Sequence, residues 1–400
     1  MKSFEAGKAL SVCVVAPTMP PLTGGAETFA EVLTLSLVKL AMKVHLITAE
    51  APREKVIQQI EETGGSITIL GTTFGSIDGY VGWEWAMFSR SEAIHKTIVN
   101  NKVDIIHALS HDTILSASIA IKGMPEAIRP KLVATTCEMS TEDSPFGIAR
   151  SQFIYHLPLD GLVQISQYYI DIAKNHGCKA GVFGIAAAVD VDLFSSGERE
   201  RGRKGMNVSN EKMVITCPSR FSPRKGQLDL LNAIQALPSE LKSTIVCVLA
   251  GSTNSGSNEY LLEVREKTKN IDFECIITEV QRNDMPDLLK ASDLVVLPSY
   301  KEGLGFSAIE SMVVGCPVIL NEVSGFDEIP ENEEEVIFVP AKNIKVLSDS
   351  IGDLITNPAK REKIGKNGQS IALQKFSMDN FCVQIEAFYA EVLNKKMALI

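Results

Sequence analysis

Short runs of aliphatic and β-branched residues recur along this chain, and longer stretches with helical apolar spacing separate them. One series reads LSVCVVAP, KVHLITA, SITILG, DIIHAL, KLVATT and GLVQIS, and a second reads MVITCPSR, STIVCVLAG, FECIITEV, LVVLPS and PVILNE. Strands that are apolar on both faces are typical of parallel sheets covered by helices on both sides. The pattern therefore predicts an α/β protein with two Rossmann-like, doubly wound domains.

A polar stretch, SSGERERGRKGMNVSNEK at residues 195–212, separates the two series and predicts a surface loop or linker near a domain boundary. The alternative is a mobile loop within one domain. We predict an N-terminal domain at 1–195, a second domain at 196–378, and a helix within 379–400 that packs back toward the N-terminal domain. Ligands of doubly wound folds bind beyond the carboxyl ends of the strands, so we expect the domains to face a cleft that holds the active site.

Composition excludes several classes of partner. The 400-residue chain has a formal net charge of −10, whereas nucleic-acid binding depends on clustered Lys and Arg. No stretch approaches the roughly 18–20 apolar residues of a membrane-spanning helix. The eight cysteines are scattered without the short spacing of zinc or redox sites, which favours free thiols in a reducing, cytoplasmic compartment. The oligomeric state does not follow from the sequence.

The segment KEGLGFSAIESMVVGCPVI contains the most informative group of polar residues. A buried strand precedes it and a helical pattern follows, so KEGLGF forms a strand-to-helix turn at the carboxyl edge of a sheet. Gly303 and Gly305 allow close approach to the main chain, and the free N–H groups of the helix start attract an anion. Glu302 and Glu310 flank this turn, and carboxylates accept hydrogen bonds well from sugar hydroxyls. A nucleotide sugar satisfies both requirements.

These residues also carry a family resemblance. EGLGFSAIE followed by SMVVGCPVI resembles the E-x7-E signature of GT-B glycosyltransferases, in particular the retaining, nucleotide-sugar-dependent family 4. Upstream, CPSRFSPRKGQLDLLNAI is similar to the G-R-x4-K-G segment of that family, with Ser219 in place of the usual glycine. The resemblance implies that Arg220 and Lys225 neutralise the departing diphosphate of the donor. The alternative for this pair is an exposed basic cluster with Arg224.

The resemblance assigns the remaining donor contacts. Glu310 would accept hydrogen bonds from the ribose, and Val280 would line the base through its backbone. The transferred sugar and its phosphate would contact Glu302 and the N–H groups of Gly305, Phe306 and Ser307. A UDP-linked donor is favoured, and no metal or other cofactor is required. Asp190 and Asp192 resemble the metal-binding D-x-D of a different glycosyltransferase fold, but their position predicts hinge structure.

In the N-terminal half, PPLTGGAETF resembles the glycine loop of the family, where Gly25 would present backbone to the donor. The family often has a histidine beyond the strand DIIHAL, and His111 is the best match. The family spacing points to Leu109 unless the chain has a local insertion. His107 and His111 could instead satisfy carbonyl groups at the strand end.

The acceptor side departs from the family pattern. Cys137 stands where relatives commonly have histidine, and Ala187 and Ala188 replace part of the motif NGVD. Acceptor loops are expected at residues 79–90 and 137–147, with Glu138 as a candidate contact for a polyhydroxylated or cationic acceptor.

The predicted activity is retaining, metal-independent transfer of a hexose from a nucleotide sugar to a hydroxyl of a soluble small molecule or saccharide. The catalytic candidates are Arg220, Lys225, Glu302 and His111. Two alternatives stay open: a sugar-nucleotide epimerase with the same architecture, and a non-catalytic nucleotide-sugar-binding subunit. The sequence identifies neither the acceptor nor the sugar, and it does not separate front-face attack from double displacement.

Overall fold

A computed structural model of the chain describes residues 9–20, 24–71, 82–136, 145–252, 258–332 and 334–394. The chain divides into two compact units, one formed by Met1–Ala188 together with Met378–Ile400, the other by Val189–Ser377. The predicted boundary after residue 195 falls a few residues inside the second unit.

The first unit is built on a parallel sheet of seven described strands in the order β3-β2-β1-β4-β5-β6-β7. The strands are β1 Ser11–Val15, β2 Lys43–Thr48, β3 Ser66–Ile69, β4 Ile105–Leu109, β5 Lys131–Thr135, β6 Gly161–Gln164 and β7 Val182–Gly184. The helices are α1 Gly25–Lys39, α2 Glu54–Glu62, α3 Gly82–Asn101, α4 His111–Ile121, α5 Pro145–Tyr155 and α6 Gln167–Asn175, with a 3-10 turn at Glu126–Ile128.

The second unit repeats this design in a parallel sheet of six described strands, in the order β10-β9-β8-β11-β12-β13. Its strands are β8 Met213–Pro218, β9 Ile245–Ala250, β10 Glu274–Thr278, β11 Leu294–Leu297, β12 Val318–Asn321 and β13 Ile337–Val339. Its helices are α7 Val191–Ser195, α8 Arg199–Met206, α9 Gln227–Gln235, α10 Ser239–Lys242, α11 Asn258–Thr268, α12 Met285–Ala291, α13 Phe306–Val313, α14 Ile344–Thr356 and α15 Pro358–Lys375, with a 3-10 turn at Pro223–Lys225.

The central strands of both sheets are buried on both faces. Strands β1, β4, β8 and β9 contain hardly an exposed residue, as their uninterrupted apolar runs predict. In each sheet the strand order reverses between two central neighbours, β1 with β4 and β8 with β11. Loops leaving the carboxyl ends of such a pair diverge and leave room for a ligand. The prediction of a doubly wound α/β fold is confirmed.

The last helix, α16 Met378–Asn394, packs on the first unit. The ring of Phe381 meets Phe29 of α1 edge-on with centroids 5.8 Å apart, and the Cys382 thiol donates to the Ser36 carbonyl at 3.6 Å. Helix α16 therefore belongs to the same unit as β1 and α1.

Two features differ from the sequence predictions. Strands β7 and β13 have three residues each and are too short to show a period in the sequence. The predicted linker at 195–212 contains helix α8, and its Arg203 is 2% exposed. Arg203 donates to Asp293 at 2.7 Å and to the Lys212 carbonyl at 3.0 Å, so this polar stretch is largely fixed to the second unit.

Candidate active site

The turn after β8 contains the predicted diphosphate ligands. Arg220 is exposed, and none of the described carboxylates forms an ion pair with it. Lys225 ends the 3-10 turn, and Gly226 then starts α9 with φ 68°. A Cβ atom at Gly226 would lie 2.1 Å from the Pro298 carbonyl oxygen, so this position requires glycine on two grounds.

The turn after β11 is the KEGLGF segment. Gly305 has φ 74°, and a Cβ there would lie 2.3 Å from the ring of Phe326. Helix α13 begins directly after it without a side-chain cap, and the first helical bonds recorded are those of Ala308 and Ile309 to the Gly305 carbonyl. Within the described residues no acceptor is recorded for the N–H groups of Phe306 and Ser307, which lie at the positive end of the helix.

The two turns are joined by direct contacts. Lys225 Nζ lies 2.5 Å from Glu302 Oε1, and the two side chains are 14% and 9% exposed. The Tyr300 N–H also donates to the Arg224 carbonyl at 2.8 Å. Because β8 and β11 are neighbours at the reversal of the sheet, a cation and a carboxylate predicted from separate motifs meet at one edge.

Glu310 is the fifth residue of α13, about one turn from the helix start, and is 4% exposed. Burial raises the pKa of its carboxyl above the usual value, and the Arg282 guanidinium opposes that rise. Arg282 Nη1 lies 2.5 Å from Glu310 Oε1, and its guanidinium stands 4.8 Å from the centre of the Phe194 ring. Among the described residues no donor pairs with Glu310 Oε2.

Sequence reasoning missed Arg282 and Gln227. Arg282 follows β10 within TEVQRN, and the rule that identified Arg220, a basic residue just beyond a strand end, would have identified it too. Gln227 is fully buried, and its Nε2 donates to the Arg220 carbonyl and to Ser219 Oγ, each at 2.9 Å. It therefore fixes the backbone of the turn that presents Arg220.

Two other predicted residues of the second unit, Val280 and Asp190, make contacts within that unit. The Val280 side chain packs against the buried cluster around Val248 and Leu288. The Asp190 carboxylate accepts from the Leu193 N–H at 3.0 Å and caps α7. In the part of the chain that the structure describes, no group of three or more potential metal-ligating side chains is assembled.

In the first unit, Gly25 opens α1 beyond β1, as predicted. His111 opens α4 beyond β4, is 4% exposed, and its Nε2 lies 3.1 Å from Ser151 Oγ. Before it, Ser110 has φ 86°, and its hydroxyl donates to Asp112 at 2.5 Å. Arg90 donates to the same carboxylate at 2.7 Å and so holds this strained turn from α3.

His107 is a core residue. It is fully buried, with Nδ1 2.8 Å from Tyr389 Oη and Nε2 2.7 Å from Thr135 Oγ1. Burial lowers its pKa to about 3, so it is neutral and ties β4 to β5 and α16. Leu109 is the last residue of β4 and His111 is the first residue of α4, and both are buried.

The residues predicted on the acceptor side lie in the first unit. Glu138 and Cys137 lie outside the described residues, as does most of the expected loop at 137–147. Of the expected loop at 79–90, residues from Gly82 onward belong to helix α3, so the loop prediction is wrong there. Ala187 and Ala188 are fully buried.

The edge of the second sheet thus offers a surface-exposed guanidinium, an ammonium, two carboxylates and helix N–H groups for which the described residues supply no acceptor. The cations and N–H groups suit a diphosphate, and the carboxylates suit hydroxyl groups. Within the described residues no helix is both long and apolar enough to span a membrane.

Comparison with known protein families agrees with this chemistry. Residues 198–371 match the family described as glycosyl transferases group 1. Among curated relatives, a D-inositol 3-phosphate glycosyltransferase of Kribbella flavida is 24% identical over 44% of this chain and 43% of that protein. A GDP-mannose-dependent monoacylated alpha-(1-6)-phosphatidylinositol monomannoside mannosyltransferase of Corynebacterium glutamicum is 25% identical over 53% of this chain and 57% of that protein. The matches span about half the length of these relatives.

Solved structures match along almost the whole chain. A sucrose-phosphate synthase of Thermosynechococcus elongatus superposes with a TM-score of 0.79 at 17% identity, covering 96% of this chain and 99% of that one. HepE of Anabaena, solved in complex with UDP-glucose, gives a TM-score of 0.76 at 19% identity over 96% of this chain and 100% of that one. These likenesses show the fold, and the match of residues 198–371 confirms the predicted resemblance to glycosyltransferases.

Proposed function

We propose that this chain transfers a sugar from a nucleoside-diphosphate sugar to an acceptor hydroxyl, on the premise that residues 198–371 match the glycosyl transferases group 1. One observation carries the proposal: the Lys225–Glu302 pair stands on two adjoining turns, next to the uncapped start of α13. A cation, a carboxylate and free N–H groups at one strand edge are what a sugar diphosphate requires.

The reaction breaks the bond between the anomeric carbon and the diphosphate oxygen, and the electron pair leaves with the diphosphate. Arg220, Lys225 and the N–H groups of Phe306 and Ser307 stabilise this negative charge, which is the largest electrostatic demand of the step. The acceptor oxygen bonds to the anomeric carbon and passes its proton to a phosphate oxygen. The family resemblance implies that the anomeric configuration of the sugar is retained. Arg220 and Lys225 supply the positive charge that a metal ion supplies in other glycosyltransferases.

The nucleoside half binds along α13 and the end of β10. Glu310 accepts from the ribose hydroxyls, and the Val280 backbone lines the base. Glu302 and the Gly305 N–H orient the transferred sugar. A uridine donor is supported by the UDP-glucose complex of HepE, whereas the Corynebacterium relative is named for GDP-mannose. The donor panel below therefore includes both nucleosides.

The first unit supplies the remaining contacts of the proposal. Gly25 presents backbone to the donor, and His111 contacts the donor sugar near the reacting carbon. The acceptor is a soluble small molecule or saccharide, with Glu138 as a contact. The described cysteines are free, which supports work in a reducing compartment such as the cytoplasm.

The experiment is an NMR time course of the purified chain with UDP-, GDP- and ADP-linked hexoses, each alone and with a panel of sugar and polyol acceptors. Acceptor-dependent release of one nucleoside diphosphate, with a new glycoside of the donor's anomeric configuration, is the expected result. An epimerised donor without acceptor would establish the epimerase alternative. Binding without turnover of any donor would establish the non-catalytic alternative.

A further inference from the structure

We propose that Arg282 is the positioning residue of the nucleoside subsite, holding the Glu310 carboxylate in the orientation that receives the ribose. The inference rests on the proposed function. Arg282 Nη1 lies 2.5 Å from Glu310 Oε1, across a separation of 28 residues in the chain. Both side chains are largely enclosed, with 14% and 6% exposure.

The Arg282 guanidinium contacts an aromatic ring on one side and the Glu310 carboxylate on the other. The Arg282 guanidinium stands 4.8 Å from the centre of the Phe194 ring, close enough for a cation–π contact. Phe194 is fully buried in α7, so the guanidinium rests on a fixed aromatic face. Arg282 is thereby fixed from behind and presents Nη1 to one oxygen of Glu310.

This arrangement decides which oxygen is available. Arg282 occupies Oε1, and among the described donors none reaches Oε2. Oε2 is therefore the acceptor that Glu310 offers to a hydroxyl donor. A carboxylate in such an enclosed place takes up a proton readily, and a protonated carboxyl offers fewer acceptor sites to two ribose hydroxyls. The neighbouring guanidinium opposes the rise in the pKa of the Glu310 carboxyl that burial causes, and so favours the ionised form.

Three variants separate positioning from a merely structural role. Arg282→Met removes the charge and keeps an apolar side chain on Phe194. Arg282→Lys restores a charge without the planar group. Lys242→Met is the matched control, because Lys242 is a buried cation of the same unit that pairs with Asp272 at 2.6 Å and lies outside the proposed site.

The first readout is calorimetric affinity for the tightest-binding diphosphate among UDP, GDP and ADP, compared with inorganic pyrophosphate, which lacks the ribose. Arg282→Met should weaken nucleoside diphosphate binding by about tenfold or more and leave pyrophosphate affinity unchanged. Arg282→Lys should recover part of the loss, and Lys242→Met should change neither affinity. Equal losses for both ligands, or tighter nucleoside binding in Arg282→Met, would overturn the proposal.

The second readout does not need the ligand. The ¹³C carboxyl resonance of Glu310, assigned by its loss in Glu310→Gln, should titrate at higher pH in Arg282→Met than in the wild type. An unchanged titration would overturn the proposal, even in a chain that binds no nucleotide. Absence of nucleotide binding by the wild type, with the titration shift present, would contradict the proposed function instead.

Discussion

Lys225 and Glu302 form an ion pair of 2.5 Å although 77 residues separate them in the chain. Their two loops leave neighbouring strands at the reversal of the second sheet, and the Tyr300 N–H ties the same loops through the Arg224 carbonyl. The pair therefore orients the ammonium group before any ligand arrives, which lowers the cost of organising the site during the reaction.

Replacing Lys225 should chiefly affect turnover. Lys225→Met removes a charge that acts on the leaving diphosphate, so we expect kcat to fall by roughly 100-fold or more, with a smaller change in donor KM. Lys225→Arg should keep part of the rate. Steady-state kinetics with the donor identified by NMR measures this, and a variant with unchanged kcat would remove Lys225 from the chemistry.

The same pair should show coupling in stability. A double-mutant cycle of Lys225→Met and Glu302→Gln should give a coupling free energy of unfolding of about 1–3 kcal/mol, because each single variant leaves a poorly solvated partner. Urea unfolding of the four proteins measures it. If the effects of the two substitutions on the unfolding free energy were strictly additive, solvent would screen the interaction between Lys225 and Glu302.

Glycine at position 305 should be indispensable for local structure. Gly305→Ala combines an unfavourable φ with a 2.3 Å approach to the Phe326 ring, and we expect a loss of about 2–4 kcal/mol in unfolding free energy. Gly64→Ala is the matched control, since Gly64 has φ 72° and no atom within 4 Å of an added Cβ. Equal losses in both variants would show that the ring exerts no constraint.

We expect Gln227 to affect stability and ligand binding through its contacts with the turn after β8. Gln227→Leu leaves the Arg220 carbonyl without its 2.9 Å donor, and we expect a loss of about 1–3 kcal/mol in stability and weaker pyrophosphate binding. Ser219→Gly, which removes the other contact of the Gln227 amide, should have a smaller effect on both quantities. Calorimetry with pyrophosphate that detects no change in Gln227→Leu would argue that the turn is rigid without it.

The buried His107 should make stability sensitive to acid. Burial lowers the pKa of His107 in the folded state to about 3, whereas the pKa of a histidine in an unfolded chain is ~6.5. Between these values the unfolded chain binds a proton that the folded chain does not, so stability falls as the pH decreases. The contribution is up to about 1.4 kcal/mol per pH unit.

His107→Gln tests that linkage. Unfolding free energies measured between pH 7 and 5 should decline less steeply in this variant than in the wild type, although its stability at pH 7 is lower. A residual slope is expected from His45, whose pKa burial lowers to about 4. Identical slopes in the two proteins would show that His107 can be protonated in the folded state.

Local patterns were sufficient for much of the fold but not for all of the site. Uninterrupted apolar runs predicted eleven strands, because burial on both faces leaves a direct signature in composition. The turn at Gly305 and the start of α13 were likewise readable from glycine spacing and helical period. Helix α8 was missed because its polar sequence is stabilised by tertiary contacts of Arg203 with Asp293, which no local pattern reveals.

Contacts between side chains that lie far apart in the chain could not be predicted from the sequence either. Glu302 and Glu310 were predicted as ligand contacts, but their partners Lys225 and Arg282 depend on which strands adjoin in the sheet. The environment of His107 depends on Tyr389, 282 residues later in the chain. Such contacts arise from topology, which a single sequence constrains only in outline.

A crystal structure of the chain with UDP tests the central claim most directly. The account predicts the diphosphate within hydrogen-bonding distance of Lys225 Nζ and of the N–H groups of Phe306 and Ser307, with the ribose hydroxyls on Glu310. A diphosphate bound elsewhere, with these groups in their present contacts, would contradict it.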